Sequence, residues 1–303
     1  MNKKIIVKIS EGLGNQLFMY ANAYVISKKF NLNLNLDPYS GYYQNNLRSY
    51  MLDNFNISSD IAPPNWIFAN NYRNLIKKVK IQLDYFRNKK SFLFEFKNKD
   101  KSTFYNPLNL ENINDIFYLD GNFESEKYFL NYRKELLDEF SIKNEKQYLN
   151  NKFLNMINTE NVVSISIRQN RYSERIKNKN NIDSIKKSEQ FVKETVNYIY
   201  KSIEFIKTKI QNPKFLLWSN DFNNLQKYFP KNEFFYVENS HNTNKVLNDF
   251  YLLTQCKNFI VGPSTFSWWG AWLSNKNNKI CIRPKYLNPS NNKDFWPQDW
   301  ISI

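Results

Sequence analysis

The chain has 303 residues, of which 42% are hydrophobic, 17% aromatic and 23% charged. That is a globular composition, long enough for two domains of ordinary size. Two cysteines (Cys256, Cys281) and one histidine (His241) exclude a disulfide framework, a Cys/His zinc site and a His-centred triad.

Taken in chain order, residues 5–9 (Ile-Ile-Val-Lys-Ile) read as a strand, 10–15 as a glycine-bearing turn and 16–30 as a helix with Leu17, Ala21, Tyr24 and Val25 on one side. Residues 32–36 alternate with period two, as a second strand. From about 40 to 115 the pattern is weak; 117–120 reads as a strand and 126–140 as a helix. The second half is regular. Strands are expected at 162–167, 215–218, 234–237, 258–261 and 279–282. Helices are expected through 191–206, near 223–228, and at 246–253 and 265–273. This alternation predicts an α/β fold of two Rossmann-like domains facing a cleft, residues 1–150 and 151–303. The Asn- and Lys-rich stretches at 143–152 and 177–187 read as loops or exposed helix ends. The over-use of Asn and Lys itself resembles codon bias with little chemistry in it.

Neither the short apolar start nor the longest apolar stretch, 259–273, broken by Gly, Pro, Ser and Thr, suits a signal peptide or a membrane span. A cytoplasmic protein is the expectation. The net charge of +15 points to anionic partners: nucleic acid, anionic lipid or a phosphorylated small molecule. Ten basic residues between Arg73 and Lys101 oppose Asp84, Glu95 and Asp100, a local excess of +7. They read either as a solvated helical face or as a patch for anionic membrane lipid at the inner face of the membrane. A nucleic-acid-binding protein is disfavoured, because the aromatics lie in apolar periodic segments without a stacking-sheet or helix-turn-helix signature.

Ligands of open α/β sheets sit beyond the carboxyl ends of the strands. There the sequence supplies Gly12, Gly14, Asn15 and Gln16 after the first strand, and Arg168, Arg171 and Tyr172 after the strand at 162–167. It supplies Asp221 after 215–218, and Gly262 with Ser264, Thr265 and Ser267 after 258–261. The glycine turn suits an anion at a helix N-terminus, or is a tight turn with no ligand. Arg168, directly after a buried strand, requires an anion or a carboxylate. Asp221 accepts from a nucleobase or ribose, or caps the next helix. Trp268, Trp269 and Trp272 are compatible with core packing alone. No Asp-x-Asp and no carboxylate cluster for a divalent metal is present.

Glu11-Gly-Leu-Gly-Asn-Gln-Leu-Phe-Met-Tyr-Ala21 closely resembles the opening of bacterial α-1,2-fucosyltransferases, glycosyltransferase family 11. Residues 118–129 resemble the family's mid-chain segment, Phe215-Leu-Leu-Trp-Ser-Asn-Asp-Phe222 its second motif and Pro263-Ser-Thr-Phe-Ser-Trp-Trp-Gly-Ala-Trp-Leu273 its third. The resemblance implies a GT-B-type arrangement and GDP-β-L-fucose as donor. It also implies inversion at the anomeric carbon, no metal or other cofactor, and transfer to the 2-hydroxyl of a terminal β-galactoside. The acceptor is then a galactose-terminated oligosaccharide or lipid-linked glycan of the LPS or O-antigen type.

On this basis Arg168 and Asn15 are assigned to stabilising the leaving group. Gly12, Gly14, Gln16, Arg171, Tyr172, Asp221, Ser264, Thr265 and Ser267 are assigned to the donor, with the first domain on the acceptor side. One motif departs from the family's usual His-x-Arg-Arg-x-Asp-Tyr. Here it runs Ser166-Ile-Arg168-Gln169-Asn170-Arg171-Tyr172, which keeps the first Arg and the Tyr and moves a positive charge to Arg171. Glu11 and Pro263 stand where the family often has Gly and Asn. The alternative within the fold is a GDP-sugar transferase with another donor or linkage. For the catalytic base, Glu11, Asp120, Glu124 and Glu126 are the candidates.

Overall fold

A computed structural model describes residues 3–44, 47–149, 152–174, 181–238 and 245–303; His241 and part of the 177–187 stretch lie outside them. The chain divides into two compact units, one of residues up to Lys143 with Ser290–Pro297, the other of Asn144–Pro289 with Gln298–Ile303. A single cut at 150 does not describe this division, because eight residues near the C-terminus return to the first unit. Phe295 packs on Phe18 with ring centroids 6.2 Å apart, Thr103 bridges Asn292, and Asp294 accepts from Tyr105 N at 2.8 Å.

The first unit contains β1 (Lys4–Lys8), α1 (Leu13–Phe30), β2 (Asn33–Asp37), β3 (Asp60–Ile61), α2 (Asn71–Phe86), β4 (Lys90–Phe94), β5 (Ile113–Asp120) and α3 (Arg133–Glu139). Its sheet is parallel, in the order β3-β2-β1-β5-β4. The single helix expected over 126–140 is instead two 3-10 turns followed by the seven residues of α3. α1 has no polar face at all. Residues 13–27 are buried except Asn15, since the helix carries apolar side chains on every side and is covered all round.

The second unit contains α4 (Lys152–Thr159), β6 (Val162–Ile167), α5 (Ile182–Lys207), β7 (Lys214–Ser219), β8 (Phe234–Tyr236), α6 (Lys245–Gln255), β9 (Asn258–Ile260), α7 (Thr265–Leu273), β10 (Ile280–Arg283) and β11 (Ile301–Ser302). This sheet is also parallel, in the order β11-β10-β9-β6-β7-β8. α5 sets Val192, Val196, Ile199, Ile203 and Ile206 against Val163, Ile165, Ile167 and Leu217. Trp268, Trp269 and Trp272 are core, with Trp300 packed 5.7 Å from Trp268.

The abundant Asn is not chemically idle. Eleven described non-glycine residues have positive φ, and eight of them are Asn (31, 88, 112, 144, 170, 212, 224 and 278). Asn tolerates the left-handed region better than other chiral residues, so in a chain with six Gly it makes the turns that glycine usually makes. The remaining three are Glu11, Lys101 and Phe123.

Candidate active site

In each unit the chain builds one side of the sheet and then crosses to the other, which opens a crevice between the loops of two adjacent strands. In the second unit β6 leads to β7 and β8 on one side and the chain then returns to β9 on the other. The switch point therefore lies between the loop after β6, which begins at Arg168, and the loop after β9, residues 261–264. In the first unit it lies between the loop after β1, which holds Glu11 and Gly12, and the loop after β5, residues 121–125.

Around Arg168 the second-unit loops are tied together by short polar side chains. The Arg168 guanidinium pairs with the Glu174 carboxylate, so the carboxylate partner required by the sequence is present. Gln169, where the family usually has its second Arg, donates from Nε2 to Asp221 O at 2.6 Å and Asn223 O at 2.9 Å. Its backbone N–H donates to Asn220 Oδ1 at 2.8 Å. Asp221 accepts from Asn223 N at 2.9 Å and from Asn170 Nδ2 at 3.1 Å. It thus stabilises its own turn and the neighbouring loop and does not cap the next helical turn, Leu225–Lys227, whose N-cap position is Asn224.

Arg171 donates to the carbonyl of Pro289 and lies over the Phe191 ring, 5.3 Å from its centroid. Tyr172 is exposed and meets Phe191 edge-on at 5.9 Å.

The loop after β9 is pressed onto the end of β6. A Cβ on Gly262 would overlap the Ser166 carbonyl oxygen and come within 2.8 Å of its carbonyl carbon. Only glycine brings this backbone so close, and Ser166 occupies the family's usual His position. Ser264 caps α7, accepting from Ser267 N at 3.2 Å. Ser267 is buried and donates to Gly262 O at 2.7 Å, which fixes the cap rather than presenting a hydroxyl. Thr265 opens the helix and is half-buried. The first-turn N–H groups of α7 point out of its amino end, and no acidic residue occupies that turn.

In the first unit, Gly12 is the N-cap of α1 in an extended conformation, and Gly14 is buried in its first turn. Asn15 Nδ2 donates to Glu124 Oε1 at 2.7 Å, and Glu124 also accepts from Ser290. Gln16 is fully buried and spent on backbone: it donates to Glu11 O at 3.0 Å and Ser49 O at 2.8 Å and accepts from Met51 N at 2.9 Å. It shapes the glycine turn from behind. Glu11 and Phe123, the left-handed residues of the two switch-point loops, sit on either side of this crevice. Strained backbone of this kind clusters at functional sites.

Among the candidate bases, Asp120 is the poorest. Burial pushes its carboxyl up, but Lys8 at 2.7 Å and Lys77 at 3.0 Å outweigh burial and hold it below the usual carboxylate range.

Three residues were not picked out from sequence. Glu174 is Arg168's partner. Glu95 follows β4, accepts from Asn122 N at 2.8 Å, and has its carboxyl pushed up by burial. Arg283 ends β10, with a buried Nε that has no hydrogen-bond partner among the described residues. A strand that ends in a charged residue was the available signal for Arg283; β4, and with it Glu95, was not legible.

Among the described residues no three His, Cys, Asp or Glu side chains converge as a metal-binding group. No described helix is long and apolar enough to cross a membrane. A hollow of about 480 Å³ lined by Lys3, Leu32 and Ile113 lies at the amino ends of the first-unit strands, opposite the loops described above.

The chain matches glycosyl transferase family 11 over residues 4–303. It is 30% identical to an Escherichia coli alpha-1,2-colitosyltransferase over 315 residues, covering 99% of this chain and 98% of the relative. It is 27% identical to the O-antigen biosynthesis glycosyltransferase WbnK of Escherichia coli over 318 residues, covering 97% and 99%. In fold it is similar to the NodZ alpha-1,6-fucosyltransferase crystal structure soaked with GDP-fucose, with a TM-score of 0.51, 13% identity, and 90% and 93% of the two chains covered.

Proposed function

The chain belongs to glycosyl transferase family 11, and from that premise we propose that it transfers L-fucose from GDP-β-L-fucose to the 2-hydroxyl of a terminal β-galactoside. The acceptor is a bacterial surface glycan of the O-antigen type, the transfer inverts the anomeric carbon, and no divalent metal takes part. One observation carries the proposal: Arg168 and the glycine-constrained amino end of α7 occupy neighbouring loops of one topological switch point.

The acceptor oxygen attacks the fucosyl C1, the bond from C1 to the β-phosphate oxygen breaks, and GDP leaves with the electron pair. Charge grows on the β-phosphate, so its stabilisation dominates. Arg168 has five N–H donors in a rigid fork. Its pairing with Glu174 orients this fork, and the guanidinium is the cation assigned to the diphosphate. The amino end of α7, Thr265 included, supplies further N–H dipoles. Arg283, two strands from β6 and therefore about 10 Å away, adds a second cation at the same sheet edge. Gln169, Asn170 and Asp221 hold the loop that carries Arg168.

The second unit thus takes the GDP-sugar and the first unit the acceptor, with the Asn15–Glu124 pair beside its glycine turn. Glu124 and Glu95 are the candidates for accepting the hydroxyl proton. Asp120 is excluded by its two lysines.

A second donor is favoured by the colitosyltransferase relative. Colitose is the 3-deoxy analogue of L-fucose, so a GDP-colitose transferase differs only in what meets the sugar's 3-position. Thermal shift with GDP, UDP and CMP, each with and without EDTA, tests the nucleotide. A shift with GDP alone, unaffected by EDTA, is expected; none, or equal shifts with all three, refutes it. Turnover with GDP-fucose against GDP-colitose and GDP-mannose then separates the donors.

A further inference from the structure

α2 carries much of its charge inward and an apolar stripe outward. Arg73, Lys77, Lys80 and Asp84, spaced three and four residues apart, share the half-buried face with Ile76 and with Ile81, which packs on the core. Tyr72, Leu75, Val79, Leu83 and Phe86, at the same spacing, face solvent with between 43% and 82% of their surface exposed. None of the sixteen residues of the helix is buried.

Two of the inward cations have defined partners. Lys77 pairs with Asp120 at 3.0 Å and lies 4.8 Å from the Tyr118 ring centroid, and Lys80 stands 4.1 Å over the Trp66 ring. Asp84 accepts from Ser91 N at 2.6 Å. A solvated helical face, the plain reading of this basic stretch, has the opposite polarity.

The exposed stripe has charged flanks of one sign. Lys78, Arg87, Lys89 and Lys90 border it, and Lys97 and Lys99 follow after β4, all exposed; the one exposed acid between 73 and 101 is Asp100. We propose that this face docks on the surface of an anionic phospholipid bilayer. The apolar stripe enters the boundary between headgroups and acyl chains, and the bordering cations meet phosphate and other anionic headgroups. Charge complementarity selects this occupant. A second copy of the chain would set the same cluster of positive charge against itself, well within a Debye length.

The test is co-sedimentation of the full chain, without sugar substrates, with vesicles of phosphatidylcholine alone and of phosphatidylcholine mixed with phosphatidylglycerol. Binding to the mixed vesicles only is expected, weakening as salt is raised. The double variant Leu75→Ser/Phe86→Ser should lose on the order of tenfold in partitioning per residue, and Lys89→Ser and Lys90→Ser about fivefold each. All four side chains are exposed, so melting temperatures should not move. Equal binding to both vesicles, no binding to either, or full binding by the variants overturns the proposal. So does a dimer in sedimentation velocity that the Leu75/Phe86 variant abolishes, which would give the face to a second copy. Vesicle binding needs neither donor nor acceptor, so this result is independent of the proposed transferase reaction.

Discussion

Replacing Gly262 by alanine sets a methyl group into the Ser166 carbonyl. The new carbon would stand 2.8 Å from the Ser166 carbonyl carbon, whereas carbon atoms pack at about 3.5 Å or more. The 261–264 loop must retreat by at least ~0.7 Å along that direction, and further to clear the oxygen. Overpacking of this kind costs about 1–3 kcal/mol, a loss that leaves a folded protein. The retreat also carries the Ser264 cap and the amino end of α7 away from Arg168. A misplacement of ~1 Å among groups that must act together lowers turnover by on the order of 100-fold. Gly12→Ala is the counterpart, because among the described residues its Cβ meets only Arg48, at 3.6 and 3.7 Å, which is ordinary contact. Its melting temperature should stay near that of the parent, so any fall in activity reports substrate at that turn. Steady-state kinetics with GDP-fucose and thermal melts measure both. Gly262→Ala with parental kcat and melting temperature would refute the claim that loop apposition at Ser166 builds the site.

Arg168→Ala should lower kcat by on the order of 10²–10³ with a smaller change in donor KM, as expected for a group that stabilises the leaving charge; near-parental turnover would remove the assignment. Gln169→Ala severs two bonds between the loops after β6 and β7 and should weaken GDP binding by on the order of tenfold in calorimetry; unchanged affinity would show that the tie is dispensable. Asp120→Asn strands Lys8 and Lys77 and should cost about 1–3 kcal/mol at neutral pH. Because the folded carboxyl lies below its unfolded value of about 3.9, its contribution is present above that pH and lost as pH falls through the folded value. The difference between parent and variant should therefore shrink in melts below about pH 4, and a constant difference would contradict the ion-pair account.

The second unit was legible because its strands are short β-branched or apolar runs and α5 repeats its apolar face at three and four. Gly262 and Arg168 could be placed at strand ends for that reason. α2 and β4 were not legible, since α2 inverts the usual polarity and its cations contact rings distant in sequence. The return of 290–297 was equally silent: Phe295 and Asp294 show no periodicity, and their partners Phe18 and Tyr105 are known only from the fold. Residue type drew attention to the loops after β1, β6, β7 and β9 but did not separate side chains that build them from those that face outward. Gln16, Ser267 and Arg171 read as ligand contacts, yet they are taken up by Ser49, Gly262 and Pro289 carbonyls. The family's His-x-Arg-Arg-x-Asp-Tyr pattern keeps only its first Arg and its Tyr. Gln169 and Asn170 have turned the remainder into a clasp on Asp221.

The most direct measurement is an incubation of the full chain with GDP-fucose and a terminal β-galactoside in EDTA, with GDP release followed and the product's linkage read by NMR. A stoichiometric α-1,2-fucosylated product is the predicted result. GDP release without an acceptor product, or no turnover until a divalent metal is restored, would contradict the proposed reaction.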